Sequence, residues 1–135
     1  MAKVAILGAG LMGTAMAWPL ADNRHSVNLI GTHLDDAVIA GCKEKRFHSR
    51  LGRTLPESVE ANYFSEIDRA LEGCEIIVSG VNSLGVSWMA RQLGLRAKPG
   101  QSVIGITKGL EVGESGEVRL FPNVLKAGLP ESIRD

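Results

Sequence analysis

The feature that most constrains this chain is an apolar segment that runs directly into a glycine-rich turn. Residues 3–7 read Lys-Val-Ala-Ile-Leu, which predicts a buried parallel β-strand. The pattern G-x-G-x-x-G follows at residues 8–13, and an apolar segment predicts a helix over residues 11–21. A strand, this turn and a helix in that order are typical of a dinucleotide-binding unit.

Each glycine of the turn has its own predicted role. Gly8 permits the tight turn, Gly10 lets the backbone approach a pyrophosphate, and Gly13 lets the helix pack closely on the strand. Leu11 and Met12 begin the helix, where free backbone N–H groups and the positive end of the helix dipole favour phosphate. These five residues are therefore predicted to bind the cofactor.

The same segment allows two other interpretations. The glycines could form a structural turn that binds nothing, but the strand before and the helix after them favour the nucleotide site. Lys3 and the following apolar residues could also begin a secretory signal. Three glycines interrupt its apolar region and Trp18-Pro19 follows Ala-Met-Ala, so we expect a mature strand beginning near Met1.

Length, charge and cysteine content narrow the class of protein. A chain of 135 residues is expected to form one domain, residues 1–135, with a real core. The 15 basic and 15 acidic residues balance, so neither nucleic acid nor an anionic membrane is predicted as a partner. No apolar stretch reaches the length of a membrane span. Cys42 and Cys74 lack metal-ligand spacing, which predicts no metal site and two reduced thiols in a cytoplasmic protein.

The rest of the chain alternates strand and helix patterns. Further strands are predicted at residues 27–30, 59–63, 76–78 and 102–106, helices at 34–45, 67–71 and 83–94, a long polar loop at 46–56, and one short helix after residue 110. Pro19 is expected to remove a hydrogen bond near Ala15 and bend the first helix.

This alternation predicts an α/β fold with a doubly wound parallel sheet (Rossmann fold) and strand order 3-2-1-4-5. Ligands of such sheets bind at the carboxyl ends of the strands. Small or polar residues follow four of the predicted strands, at 8–13, 31–33, 80–83 and 107–109. Asn82, Ser83 and Lys108 are therefore added to the predicted cofactor-binding residues.

The choice between NAD and NADP depends on the end of the second strand. An acidic residue about 20 positions after the glycine turn would bind the ribose of NAD. Here Thr32 and His33 stand at that position, and the first carboxylate is Asp35. Thr32 and His33 can donate hydrogen bonds to a 2′-phosphate, so the sequence permits NADP as well as NAD. Thr32 could instead serve only as a helix cap with Asp35.

Three separated motifs resemble those of one enzyme family. They are Gly-Ala-Gly-Leu-Met-Gly-Thr-Ala at residues 8–15, the segment 48–56 with its Leu-Gly and Leu-Pro pairs, and Ile-Thr-Lys-Gly-Leu-Glu at 106–111. The chain resembles, over its whole length, the N-terminal half of NAD(P)-dependent glycerol-3-phosphate dehydrogenase. The third motif is the most specific, since it is unusual in other dehydrogenases.

The resemblance implies reversible hydride transfer between NAD(P)H and dihydroxyacetone phosphate, forming sn-glycerol 3-phosphate in glycerophospholipid metabolism. It also implies that Lys108 lies between the nicotinamide and the substrate as a catalytic residue. An ammonium beside phosphates keeps its proton and can stabilise a developing alkoxide. The alternative is an ordinary surface lysine at a strand end.

The chain departs from the family pattern at three positions. Asn82 stands where the family commonly has proline, which could change the backbone path near the nicotinamide ribose. Leu11 and Met12 replace a serine and an aromatic residue, so a side-chain hydrogen bond and a stacking surface are missing. These changes bear on cofactor affinity more than on cofactor identity.

Relatives in this family carry a second, helical catalytic domain, which we expect to be absent from this chain. That domain supplies another lysine and an Arg-Asn pair that holds the substrate phosphate. Arg46, Arg50 and Arg53 could hold a phosphate, but a solvated basic loop is favoured. We therefore expect residues 1–135 alone to bind a dinucleotide without turning over substrate.

Two other functions remain open at this point. One is a stand-alone NAD(P)-binding module without catalysis, and the other is a related reductase such as a ketopantoate or imino-acid reductase. The Thr-Lys-Gly-Leu-Glu motif counts against the second. The sequence leaves the oligomeric state open, including a homodimer formed through uncovered apolar surface.

Overall fold

A computed structural model describes residues 1–134 of the chain. Its strands are β1 (Lys3–Leu7), β2 (Ser26–Ile30), β3 (Phe47–His48), β4 (Arg53–Thr54), β5 (Val59–Asn62), β6 (Ile76–Ser79), β7 (Ser102–Gly105), β8 (Leu110–Val112) and β9 (Val118–Leu120). Its α-helices are α1 (Leu11–Ala15), α2 (Ala17–Asp22), α3 (Asp36–Lys45), α4 (Ile67–Leu71), α5 (Val86–Arg96) and α6 (Phe121–Gly128). Short 3₁₀ turns occupy Phe64–Glu66, Ser83–Gly85 and Glu131–Ile133.

Five parallel strands form the central sheet in the order β5-β2-β1-β6-β7. Numbered among themselves, these strands have the order 3-2-1-4-5, so the predicted doubly wound fold is confirmed. The strand order reverses between β1 and β6. At this point Val4 of β1 pairs with Val27 of β2 on one side and with Ile76 of β6 on the other. Ligand sites of such sheets lie just beyond the carboxyl ends of the strands at this point.

Apolar side chains cover both faces of the sheet. Because successive side chains of a strand point to opposite faces, Val4 and Ile6 of β1 pack in one core layer and Ala5 and Leu7 in the other. Helix α3 covers the first layer, whereas α4, α5 and α6 cover the second. Burial on both faces explains why the strands read as continuous apolar runs.

The two cysteines lie in different layers of this core. Cys42 packs with the α3 layer and Cys74 with the α5 layer, and both are buried free thiols. Burial raises the pKa of each thiol. Both side chains are therefore held as thiols, which are poor nucleophiles.

The first helix is interrupted, as Pro19 predicted. It is divided at Met16 into α1 and α2, because a proline at position 19 has no N–H to donate to the Ala15 carbonyl. The helix expected from residue 34 begins later, at Asp36, since residues 32–35 form a separate hydrogen-bonded turn.

One expectation was wrong. Residues 46–56 are not a long polar loop: β3 and β4 pair antiparallel as a small hairpin, and His48 within it is fully buried. The sequence also missed the hairpin of β8 and β9, which pair antiparallel. Both hairpins are too short to show a clear alternating pattern.

No helix within residues 1–134 combines the length and the apolar character that crossing a bilayer would need.

Candidate functional site

The loops that follow β1, β2, β6 and β7 line one cleft of about 820 Å³ at the carboxyl edge of the sheet. This is the edge at which the sequence predicted a ligand. The lining residues are Gly8, Gly10, Leu11, Met12, Thr32, His33, Leu34, Asp35, Arg50, Gly80, Val81, Asn82, Leu84, Gly85, Trp88, Ile106, Thr107 and Lys108.

The glycine turn is built by close backbone contacts with the loop after β6. Gly8 has a φ of +108°, a value that side chains other than glycine rarely adopt. A Cβ on Gly13 would lie 2.4 Å from the Gly8 carbonyl oxygen, and a Cβ on Gly80 would lie 2.8 Å from the Gly13 Cα. These three residues must therefore be small for α1 to pack against β1 and β6.

Gly10 differs from the other glycines of the turn. A Cβ at this position would meet no protein atom within 4 Å, and the φ of −72° is ordinary. The space beside Gly10 is the cleft itself. The protein fold does not need a glycine here, whereas a ligand that approaches the backbone would need one.

The loop after β2 is tied to the glycine turn through Asp35, which is buried. Its Oδ2 atom accepts hydrogen bonds from the Ala9 N–H (3.1 Å), the Thr32 N–H (2.9 Å) and the Thr32 hydroxyl (3.0 Å). The Thr32 hydroxyl oxygen in turn accepts from the Leu34 N–H (3.2 Å). Thr32 and Asp35 thus close a turn that precedes α3; the N-cap of that helix is Asp35, and not Thr32 as the capping alternative proposed.

The loops after β6 and β7 are joined to each other. The Thr107 hydroxyl donates to the Val81 carbonyl, and the Ile106 N–H donates to the Ser79 carbonyl (3.2 Å). Gly109 has a φ of +127° and packs against Phe121. These contacts fix the backbone on both sides of Lys108, whose exposed side chain lies at the cleft.

Asn82 takes a backbone conformation that proline could also adopt. Its φ is −75° and its ψ is 177°, and its side-chain Oδ1 accepts from the Gly85 N–H (3.1 Å). Proline fixes φ near this value. The asparagine therefore needs no different backbone path, and its side chain serves as the cap of the following 3₁₀ turn.

The β3–β4 hairpin is anchored on the glycine turn by His48. Its Nδ1 atom accepts from the Leu51 N–H (3.1 Å), so Nε2 carries the proton and donates to the Ala9 carbonyl (2.8 Å). Nε2 also lies 3.1 Å from the Thr14 hydroxyl. A polar residue that looked like part of a solvated loop is thus a buried connection to the glycine turn.

Aromatic rings form the wall of the cleft next to the loop that follows β2. His33 packs against Trp88 with ring centroids 5.3 Å apart, and Trp88 packs against Phe64 at 5.2 Å. Trp88 belongs to α5 and reaches the cleft beside His33. A flat purine ring could be accommodated beside such a wall.

The structure brings most of the predicted residues together. Gly8, Gly10, Leu11, Met12, Thr32, His33, Asn82 and Lys108 line the cleft, whereas Gly13 packs behind the turn and Ser83 lies outside the lining. Sequence reasoning missed the lining by Asp35, Arg50 and Trp88. Two of them carried a signal: Asp35 is the first carboxylate after the second strand, and Arg50 was one of three arginines that could hold a phosphate, although a solvated loop was favoured. In residues 1–134, no group of three or more His, Cys, Asp or Glu side chains is placed to hold a metal ion.

Comparison with known proteins connects this cleft to one family. The family model described as "NAD-dependent glycerol-3-phosphate dehydrogenase N-terminus" matches residues 3–134. The chain is 36% identical over 107 residues to the NADP(+)-dependent glycerol-3-phosphate dehydrogenase of Archaeoglobus fulgidus, covering 79% of this chain and 31% of that protein. It is 34% identical over 116 residues to the glycerol-3-phosphate dehydrogenase [NAD(P)+] of Geobacillus kaustophilus, covering 84% and 32%.

A solved structure agrees with these sequence matches. The glycerol-3-phosphate dehydrogenase of Coxiella burnetii superimposes with a TM-score of 0.81 at 26% identity, covering 95% of this chain and 38% of that one. The chain therefore spans about a third of the length of the curated relatives that it matches.

Proposed function

Because the chain belongs to the family of N-terminal domains of NAD-dependent glycerol-3-phosphate dehydrogenase, we propose that it binds NAD or NADP in the cleft. It would serve as the coenzyme-binding part of an enzyme that interconverts dihydroxyacetone phosphate and sn-glycerol 3-phosphate. The predicted cofactor residues would be Gly8, Gly10, Leu11, Met12, Gly13, Thr32, His33, Asn82, Ser83 and Lys108.

The observation that carries this proposal is the empty space beside Gly10. The glycines that pack against protein have a structural reason, but Gly10 faces only the cleft. The first N–H groups of α1 have no partner within the helix and lie at the same edge. Backbone donors with room in front of them fit a pyrophosphate.

The chemistry at the other end of the cleft depends on Lys108. When bound, a reduced nicotinamide supplies the hydride. The Lys108 ammonium would donate a hydrogen bond to the substrate oxygen and stabilise negative charge that develops there. Thr107 would keep the backbone of this loop in place through its hydrogen bond to Val81. Lys108 would therefore act by position and charge.

The experiment is a titration of the chain with NADH and NADPH, followed by fluorescence of the nucleotide and by calorimetry. We expect saturable binding of at least one coenzyme. Failure of both to bind at millimolar concentration would refute the proposal. Residues 1–135 alone are expected not to oxidise coenzyme when dihydroxyacetone phosphate is added. Turnover would refute the expected lack of catalysis but not the proposed coenzyme binding.

Two measurements separate the role of Lys108 from that of the cleft. Lys108→Ala should weaken coenzyme binding if the lysine contacts the coenzyme, and should leave that affinity nearly unchanged if it acts only on the substrate. In an active full-length relative the corresponding change should reduce kcat. A substrate screen with ketopantoate and imino acids on the active enzyme distinguishes the related reductases.

We also propose a cytoplasmic location, a role in glycerophospholipid metabolism and a homodimer. The balanced charge and the two free thiols support the location. The homodimer is supported by one exposed apolar face. Leu110 pairs with Leu120 and Val112 with Val118 across the β8–β9 hairpin, and all four side chains are more than half exposed.

A further inference from the structure

We propose that Arg50 determines coenzyme specificity by binding the 2′-phosphate of NADP(H), so that this chain prefers NADP(H) to NAD(H). The inference rests on the proposed function, since it assigns one end of the same cleft. It concerns Arg50 of the β3–β4 hairpin and the turn after β2.

The first step asks whether a carboxylate at this end of the cleft is free to bind a ribose. Among the lining residues within 1–134, Asp35 carries the only carboxylate. In sheets of this type, an acidic side chain near the end of the second strand selects NAD by binding the ribose hydroxyls. The Asp35 side chain is only 8% exposed, and its Oδ2 atom already accepts three hydrogen bonds. Asp35 is therefore committed through Oδ2 to holding two loops together, and the Arg50 guanidinium stands 3.8 Å from Oδ1, the carboxylate oxygen left to face a ribose.

The second step concerns the hydroxyl that the sequence suggested as a phosphate donor. Thr32 has one hydroxyl proton, and it is directed to Asp35 at 3.0 Å. This proton is therefore already used within the protein. A donor for a 2′-phosphate must come from another side chain at the same end of the cleft.

Arg50 is that side chain. It lines the cleft together with Thr32 and His33, and its side chain is 53% exposed. Its Nη1 atom lies 3.8 Å from the Asp35 Oδ1 atom, which is too long for a hydrogen bond. The guanidinium thus lies near the Asp35 charge without a hydrogen bond to it, at the lining of the cleft.

The other two arginines of this segment are occupied elsewhere. The Arg46 guanidinium donates to the Pro56 and Val59 carbonyls, and the Arg53 guanidinium lies 4.7 Å from the centre of the Trp18 ring. Neither lines the cleft. Arg50 is the arginine that the hairpin presents to the ligand.

The hairpin is also positioned firmly enough for recognition. Buried His48 binds the Ala9 carbonyl and, through its other ring nitrogen, the N–H of Leu51, which follows Arg50. Arg50 is therefore two residues from a connection to the glycine turn. A guanidinium held in this way can bind two oxygens of a phosphate at once, which the neutral 2′-hydroxyl of NAD does not offer.

The test measures Kd for NADPH and NADH with the unmodified chain, Arg50→Ala and Arg53→Ala, with circular dichroism confirming that each folds. Arg53→Ala removes the same charge from the same hairpin outside the cleft. We expect the unmodified chain to bind NADPH more tightly than NADH by roughly tenfold or more, as a charged hydrogen-bonded pair would give. Arg50→Ala should abolish most of this preference while leaving the NADH Kd within about twofold, and Arg53→Ala should keep the preference.

Three results would overturn the proposal. Equal binding of the two coenzymes by the unmodified chain would do so while leaving the proposed function intact. If Arg50→Ala weakened the binding of both coenzymes equally, the hairpin would act on the glycine turn and not on the 2′-phosphate. If neither coenzyme bound, the proposed function would fail first and this inference with it. Arg50→Lys, which keeps the charge without the planar pair of donors, should retain part of the preference.

Discussion

At the scale of single residues, two glycines of the same turn have opposite reasons to be glycine. Gly13 is surrounded by backbone, whereas a Cβ on Gly10 would meet no protein atom within 4 Å. The G-x-G-x-x-G pattern alone does not distinguish them. The distinction predicts that one substitution affects folding and the other affects binding.

Gly10→Val is expected to keep the stability of the chain and to lose coenzyme affinity. Its φ of −72° and ψ of −178° suit a β-branched residue, so the backbone need not move. The new methyl groups would occupy the place of the ligand and weaken binding by roughly tenfold or more. Calorimetric titration and thermal unfolding measure the two properties separately.

Gly13→Ala is the matched variant. Its Cβ would lie 2.4 Å from the Gly8 carbonyl oxygen, so α1 or the turn must move at a cost of about 1–3 kcal/mol. The unfolding midpoint should fall. If Gly10→Val lost stability and kept affinity, the assigned roles of the two glycines would be reversed.

Asp35, Thr32 and His48 show what residue identity leaves undecided. Thr32 suits both a helix cap and a phosphate contact, and in the structure its hydroxyl donates to Asp35 (3.0 Å) within the turn before α3. His48 stands in a polar segment but is fully buried. Asp35 and His48 find partners in the glycine turn, 26 and 39 residues away along the chain, which local patterns cannot reveal.

At the scale of elements, α3 and the turn before α4 are connected through Glu66. Its carboxylate accepts from the Lys43 ammonium (2.8 Å), the Tyr63 N–H (2.8 Å) and the Arg69 guanidinium (3.1 Å). These hydrogen bonds lower the pKa of Glu66 below its ordinary value of 4.5. The bond from Lys43 has the largest effect, and those from Tyr63 and Arg69 add to it. The charged form thus stabilises the approach of α3 to β5 and α4.

This lowered pKa predicts how stability depends on pH. A carboxylate with a depressed pKa stabilises the fold above the pKa of the unfolded chain, near 4.5, and loses that contribution as pH falls through the folded pKa. Glu66→Gln should therefore be less stable than the unmodified chain at about pH 7. The difference should shrink steadily below about pH 4.5.

Urea unfolding at a series of pH values measures this difference. Glu57→Gln is the control, because Glu57 is exposed and belongs to the same region of the chain. That variant should follow the unmodified chain at every pH. A Glu66→Gln deficit that stayed constant down to about pH 3 would show that the carboxylate charge is not the cause.

At the scale of the whole molecule, the last third of the chain is the least covered. Strand β7 is one of the two edge strands of the sheet, and Ile104 on it is 48% exposed. The nearby β8–β9 hairpin turns Glu111 toward Ser87 of α5 and its apolar side chains toward solvent. An edge strand and an apolar hairpin face are surfaces on which chains associate.

We therefore expect residues 1–135 to self-associate as concentration rises. Light scattering should give an average mass above the 14.4 kDa of one chain. Val118→Lys should shift the average toward the monomer, since a charge would have to be buried in the contact. Leu95→Lys, at an exposed apolar position on α5, should not. A monomer at all concentrations would reject the proposed homodimer.

The sequence by itself determined the five-stranded sheet, its order and the edge at which the cleft forms. These follow from local information: apolar runs of strand length, helix patterns between them, and small or polar residues after the strands. The interruption at Met16 also follows locally, because Pro19 lacks an N–H.

Only the tertiary structure decided which side chains the cleft would present. Folding buried Asp35 and His48, used up the hydroxyl proton of Thr32, and placed Arg50 at the rim while its neighbours Arg46 and Arg53 turned to other partners. The physical reason is that a polar group buried on folding must find partners wherever the chain brings them. Those partners lie far apart in sequence, so no local pattern records them.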